Sequence, residues 1–450
     1  MVGVSLLVTS APVLVMGSPV AASSSEPSLI KDINQFTDSS NPGSGVAVGS
    51  TLFFSADDGT NRTELWSFDT TGASGDPVMV KDINAAGSSS PTYLTAVGST
   101  LFFVADDGTN GVELWKSDGT SAGTVMVKDI NAAGSSSPTY LTAVGSTLFF
   151  VADDGTNGVE LWKSDGTSAG TMMVKDINAA GNSSPTYLTA VGSTLFFVAN
   201  DGTNGAELWS YDTTGASGDP VMVKNINNAA GGSSLIHVTV VGSTLFFQAN
   251  DGTNGYELWK SDGTSAGTMM VTNIRGGAGH SFPSNFTVVG STLFFQANDG
   301  TNGYELWKSD GTSAGTMMVT NIRSGNGDSF PNYGMVVGST LFFVANDGTN
   351  GVELWSYDTT GASGDAVMVK DINAAGSSSP NYLKVVGSTL FFQANDGTNG
   401  VELWKSDGTS AGTMMVTNIR SGNGDSSPRF LMVVGSTLFF QANDGTNGVE

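Results

Sequence analysis

Oxygen-rich turns are the segments of this 450-residue chain best suited to do chemistry. Asp106-Asp107-Gly108-Thr109-Asn110-Gly111-Val112-Glu113 places four side-chain oxygen donors (Asp106, Asp107, Asn110 and Glu113) within eight residues. The pattern returns as Asp153, Asp154, Asn157 and Glu160, and again as Asn250, Asp251, Asn254 and Glu257. Calcium takes about six to eight hard oxygens, and glycine lets a short loop curl around the ion. These residues therefore predict a Ca²⁺ site in each turn. The spacing departs from the EF-hand loop, and Asp-Gly and Asn-Gly are also the commonest hairpin turns. Turn chemistry alone accounts for the same residues, so both readings stand.

Other reactive groups are sparse. If Lys116 opposes Val125 across the next hairpin, Glu113 opposes Lys128 as an opposite-charge pair. That lysine becomes Thr272, Thr320 and Thr417 in other copies, while Glu257, Glu305 and Glu402 remain. A glutamate kept without its partner points to a second duty, either a backbone cap or a cation ligand. Each tryptophan sits inside an apolar strand, which predicts core packing rather than a stacking platform. His237 and His280 are the only histidines, and both are placed in linkers. Two histidines make a poor metal site, and no serine stands at a recognisable nucleophile spacing. Carboxylate pairs recur in every copy, which general acid–base catalysis does not require. The glycines at 276, 277 and 279 do not join a strand to a helix, so a phosphate cradle is not expected. No catalytic residue emerges.

The elements that must position these groups are repeats. Glu-Leu-Trp occurs eight times, with Trp66, Trp115, Trp162, Trp209, Trp259, Trp307, Trp355 and Trp404 spaced 47 to 50 residues apart. A period of about 48 residues means a repeat architecture whose units bury their apolar faces against neighbours. One unit contains four short apolar runs, at 94–97, 100–106, 112–117 and 124–130, each ended by Gly, Asp, Asn or Ser. Such runs read as antiparallel strands joined by tight turns. In Thr100-Leu101-Phe102-Phe103-Val104-Ala105 both alternate sets are apolar, so both faces of the sheet need a cover. Stacked blades supply that cover. The expected fold is an all-β propeller of four-stranded blades, with an open β-repeat array as the alternative.

Blade number stays open at this level. Nine copies of Leu-Phe-Phe run from Leu52 to Leu438, and the ninth copy stops at Val449-Glu450. This gives eight full repeats plus two half-repeats and suggests a chain truncated at its C-terminal end. Leu29-Ile30-Lys31-Asp32-Ile33 reads as an orphan fourth strand able to clasp the C-terminal half-copy. One ring of nine blades or two smaller rings would satisfy the pattern. The first, fourth and seventh units carry a longer loop, at 67–77, 210–220 and 356–366, which indicates duplication of a three-unit block.

Residues 1–22 are mostly apolar and end in Val20-Ala21-Ala22, as a secretory signal peptide does, although no basic residue precedes Lys31. A short linker, 23–27, leads into the repeat domain at 28–450. Pro12 and Pro19 interrupt the leader, so no stable membrane span is expected. The chain has no cysteine, and its net charge of −24 argues against nucleic acid, whose phosphates demand Lys and Arg. Cations, glycans and proteins remain as partners.

The run Glu113-Leu114-Trp115-Lys116-Ser117-Asp118-Gly119-Thr120 resembles the ELWxxDGT repeat of secreted bacterial proteins, sometimes labelled hyalin-like, over residues 28–450. Units such as Ser210-Tyr211-Asp212-Thr213-Thr214 depart from it by losing the Asp-Gly-Thr core. The resemblance implies an exported or surface protein with no established catalytic residues. The combined expectation is a secreted or cell-surface module for binding, adhesion or scaffolding, not itself an enzyme, stabilised by Ca²⁺ if the turns bind it. Its ligand would be a protein or a glycan. The rivals are a non-catalytic part of a polysaccharide-degrading enzyme and a structural surface-layer spacer.

Overall fold

The computed structural model describes residues 26–35, 39–72, 75–215, 218–228, 231–361 and 364–450. The expected signal peptide at 1–22 lies outside them, as does most of the 23–27 linker. Among the described residues there is no helix, and none long and apolar enough to cross a membrane. Glycine, β-branched residues and aromatics give this chain strands and turns instead.

The first sheet is β1 (Val46–Val48), β2 (Thr51–Asp57), β3 (Thr63–Asp69) and β4 (Val78–Lys81). The second is β5 (Thr92–Val97), β6 (Thr100–Asp106), β7 (Val112–Ser117) and β8 (Val125–Lys128). Both are antiparallel in sequence order, and six further sheets repeat the pattern between 139 and 417. A ninth sheet holds the strands Arg429–Val434 and Thr437–Gln441, extended by a bridge between Asn443 and Val449. First strands of successive sheets run beside one another, so they lie nearest the central axis. This is the β-propeller that the two-faced strands call for.

Packing follows from the doubly apolar second strand. In β6, Leu101, Phe102, Phe103, Val104 and Ala105 are all buried. Leu101, Phe103 and Ala105 join Trp115 in a layer with Phe53, Leu65, Val80 and Ile83 of the preceding sheet. Phe102 faces the other way, with Leu114, Val127 and Ile130, against Leu148, Phe150, Ala152 and Trp162 of the following sheet. Trp115 stands opposite Phe103 in the register, so the recurring pairing of those two strands puts the indole in the layer. Burial of a large side chain here contributes roughly 2–3 kcal/mol by area.

Closure joins the ninth sheet to the first in a single ring. Met432 and Phe439 pack into the cluster of Leu52, Phe54 and Trp66, and Phe68 meets Phe439 edge-on at 5.9 Å. Two smaller rings are therefore not formed. The clasp also differs from a strand pairing. Residues 29–33 form no strand, and Leu29 and Ile30 are about half exposed. Fourth strands pair with residues that follow the glutamate, as Leu114 does with Lys128; at the seam the link runs instead through Glu450. Its carboxylate accepts hydrogen bonds from Ile33 N at 3.1 Å and Ser40 N at 2.9 Å, and Asn41 N donates to Val449 O at 3.1 Å.

Phe150 is fully buried between the second and third sheets. Phe150→Ala should cost about 3–5 kcal/mol, read as a lower midpoint in chemical denaturation. An unchanged midpoint would show that this layer is not what holds neighbouring sheets together.

Candidate functional site

The turn carboxylates are committed to backbone amides. Asp106 Oδ1 accepts from Gly108 N at 2.7 Å. Asp107 Oδ1 accepts from Thr109 N at 2.9 Å and Asn110 N at 2.7 Å, while its Oδ2 accepts from Asn110 Nδ2 at 2.7 Å. Asp153 and Asp154 repeat this arrangement with Gly155, Thr156 and Asn157. Asn250 and Asp251 do so with Gly252, Thr253 and Asn254. These are side-chain-closed turns, in which the carboxylate stands in for a backbone acceptor. Burial pushes the Asp107 carboxyl up, but its bonds from Asn110 and Thr109 outweigh this and hold it below the ordinary aspartate value. Gly108 supplies the left-handed backbone, with φ of 75°.

The glutamates lie elsewhere, inside the sheet. Glu113 is wholly buried, and its carboxylate accepts from Ile130 N at 3.1 Å, Ser136 N at 2.7 Å and Ser136 Oγ at 2.5 Å. Glu160 holds Ile177 N and Ser183 in the same way. Glu257 accepts from Ile274 N at 2.8 Å and Ser281 Oγ at 2.7 Å, although its unit lacks the lysine. The glutamate is therefore the backbone cap: it pins the linker that leads to the next sheet. The expected pairing of Glu113 with Lys128 does not form, because a bulge after Leu114 puts Leu114, not Glu113, opposite Lys128. Lys128 reaches across instead, donating to Thr171 O of the next sheet at 2.9 Å from a position 5.9 Å over the Trp162 ring.

The side chains expected to hold calcium all take part in hydrogen bonds within the protein. The Asp107 oxygens already face three N–H dipoles, whose positive ends would meet a cation, and the Glu113 oxygens face two N–H groups and a hydroxyl. The histidines are also accounted for. His237 lies in the strand Ile236–Val241 rather than in a linker, and His280 Nδ1 accepts from Tyr256 N at 3.0 Å.

The exposed chemistry that sequence reasoning missed sits on the innermost strands. Tyr93, Tyr140, Tyr187, Tyr333, Tyr382 and Phe430 occupy equivalent positions and are 37–53% exposed. His237 and Asn285 fill the same position in the fifth and sixth sheets and are exposed too. All eight adopt positive φ, between 52° and 58°, next to a register shift in the pairing with the second strand. Such a bulge re-aims a side chain, and a non-glycine residue there costs about 1–3 kcal/mol that the surrounding sheet must supply. The tryptophans, by contrast, are buried or nearly so, and Trp66 Nε1 donates to Ala56 O at 3.1 Å.

No family model matches this chain, and no curated protein does. Among solved structures it is similar to a computationally designed protein, with a TM-score of 0.44 and 18% identity over 82% of this chain and 98% of that one. It is also similar to puromycin hydrolase, with a TM-score of 0.41 and 14% identity, where the match spans 94% of this chain but 61% of the hydrolase. The β-propeller domain of the Trilobed protease from Pyrococcus furiosus matches with a TM-score of 0.37 and 10% identity, over 73% and 97%. The fold assignment rests on the packed sheets themselves.

Two predictions follow from the buried carboxylates. Glu113→Ala orphans three buried donors and should cost about 3–5 kcal/mol, whereas Asp107→Ala, at an exposed turn, should cost about 1 kcal/mol. Equal losses in urea unfolding would refute the cap. Burial also raises the glutamates, Glu305 to about 7, against the opposing bonds from Ser329 and Ile322. The folded state then binds more protons than the unfolded one between the two pKa values, so stability falls as pH rises through that window. The melting temperature should rise on acidification from about pH 8 to about pH 5, and fall again below about pH 4, where the lowered aspartates protonate. Glu305→Gln should flatten the upper limb; an unchanged slope in that variant would show that Glu305 does not contribute to it.

Proposed function

We propose that this chain is a non-catalytic binding module that works outside the cell and grips an extended glycan at the axial channel. The supporting observation is the row of exposed aromatics, one on most innermost strands, in a backbone conformation that costs energy. Tyrosine offers a rigid, amphipathic face with few rotatable bonds, which suits the C–H face of a sugar ring at low entropic cost. Repetition around one axis gives many weak, equivalent contacts, and a ligand long enough to touch several gains avidity without any single strong site.

Charge and composition agree with this reading. A net charge of −24 disfavours polyanions, and neutral polymers are among the classes compatible with it. Six of the eight positions in the row carry Tyr or Phe, and none carries a carboxylate, a serine or a cysteine to act as acid or nucleophile. The signal-peptide-like leader and the resemblance to ELWxxDGT-repeat proteins support placement outside the cell.

Retention of the purified chain on neutral polysaccharides, read by affinity electrophoresis, tests the proposal. The triple variant Tyr93→Ala, Tyr140→Ala, Tyr187→Ala should bind about tenfold or more weakly with an unchanged melting temperature. Undiminished retention in that variant, or no retention of the parent chain on any neutral polymer, would overturn it.

A further inference from the structure

The aromatic row is interrupted at His237 and Asn285, and a cleft opens beside the interruption, between the fifth and sixth sheets. Its volume is about 560 Å³, within the usual range for small-molecule sites. Two stacked aromatic pairs line it. Tyr256 lies over Phe282 at 5.3 Å and 21°, and Tyr304 over Phe330 at 5.4 Å and 22°. Both pairs arise from coordinated departures from the repeat. Tyr256 and Tyr304 stand where other units have Val112, Val159, Val352 and Val401. Phe282 and Phe330 stand where others have Ser90, Ser137, Ser184 and Ser379. The phenylalanines keep the left-handed backbone of the serines they replace, with φ of 46° and 48° against 47° at Ser137. They remain 36% and 48% exposed, so the substitutions enlarge a surface rather than a core.

Polar groups complete the cleft. Gln248 and Gln296 stand where other units have Val104, Val151 or, in the last two copies, Gln393 and Gln441, and both line the cavity. Gln296 Nε2 donates to Ser284 Oγ at 2.9 Å, while its Oε1 is shielded from bulk solvent and receives no protein donor. His237 contributes an imidazole whose partial desolvation lowers its pKa from the ordinary value. No Asp, Glu, Lys or Arg lines the cavity, in a chain with 41 acidic and 17 basic residues.

Flat apolar walls, amide and imidazole hydrogen-bonding groups, and an uncharged lining match one chemical class. A pyranose carries an apolar C–H face for the rings and hydroxyls that both donate to and accept from amides. We propose that this cleft binds a single neutral hexose unit. It is a separate site from the repeated row, and of that row it uses only His237.

Calorimetric titration of the full chain with the methyl glycosides of glucose, galactose and mannose, and with N-acetylglucosamine, tests the proposal. Glucuronate and glucosamine serve as charged counterparts. At least one neutral sugar should saturate one site per chain, and more tightly than either charged sugar. The double variants Tyr256→Val, Tyr304→Val and Phe282→Ser, Phe330→Ser install residues that the other units carry, so the sheets are retained. Each should weaken binding by at least about tenfold. Tyr93→Ala, Tyr140→Ala, Tyr187→Ala should leave the hexose titration unchanged, even if polysaccharide retention is lost. Failure of every neutral sugar to bind, equal or tighter binding of a charged one, or unaltered binding in both double variants would overturn the site.

Discussion

Every second strand in this molecule is apolar on both sides, and water must be kept from both. A lone sheet with Leu101 and Phe103 on one face and Phe102 on the other cannot be stable by itself, since each face would expose large side chains. Nine such sheets can cover one another only if the row returns on itself, because an open row leaves two bare faces. The contacts of Phe54, Trp66, Phe439 and Met432 at the seam are the physical form of that requirement. Blade orientation, channel position and the display of the innermost side chains all follow from it.

Apolar layers are permissive about registration, and the polar bracket removes that freedom. Each glutamate reaches from the third strand to amides and a serine hydroxyl of the linker, setting where one sheet ends and the next begins. The lysines add a second tie by crossing to a carbonyl of the following sheet, as Lys81 does to Thr124 O at 2.8 Å. Burying a carboxylate is costly unless donors surround it, so the bracket favours one spacing over its slipped alternatives. That cost appears as the upward shift of the glutamate pKa values. Ring geometry is thus bought with charge burial.

Much of this was legible in the residues. The Glu-Leu-Trp period, the doubly apolar Thr100–Asp106 run and the burial of Trp115 lead to stacked four-stranded sheets, and the strand Val112–Ser117 has the bounds its pattern implies. The role of Glu113 as a backbone cap was one of two readings left open by the loss of its lysine in other units. Its partner was misjudged because a bulge after Leu114 shifts the register by one residue, and simple alternation carries no sign of a bulge. The tyrosine row escaped notice because Tyr93 falls just before the 94–97 run, and only the structure places it in the strand Thr92–Val97 with a positive φ. The unusual chemistry of the fifth and sixth units was in plain view as Tyr256, Phe282, Tyr304 and Phe330. Its meaning needed the fold, because 26 residues of chain separate Tyr256 from the phenylalanine it stacks upon.

The left-handed residue on each innermost strand separates scaffold from display. The backbone conformation is the same whichever side chain stands there. Tyr140, His237, Asn285 and Phe430 occupy the position with nearly the same φ, between 54° and 58°. Duplicated genes could rewrite this column one copy at a time, changing what the protein recognises while the architecture beneath stays untouched.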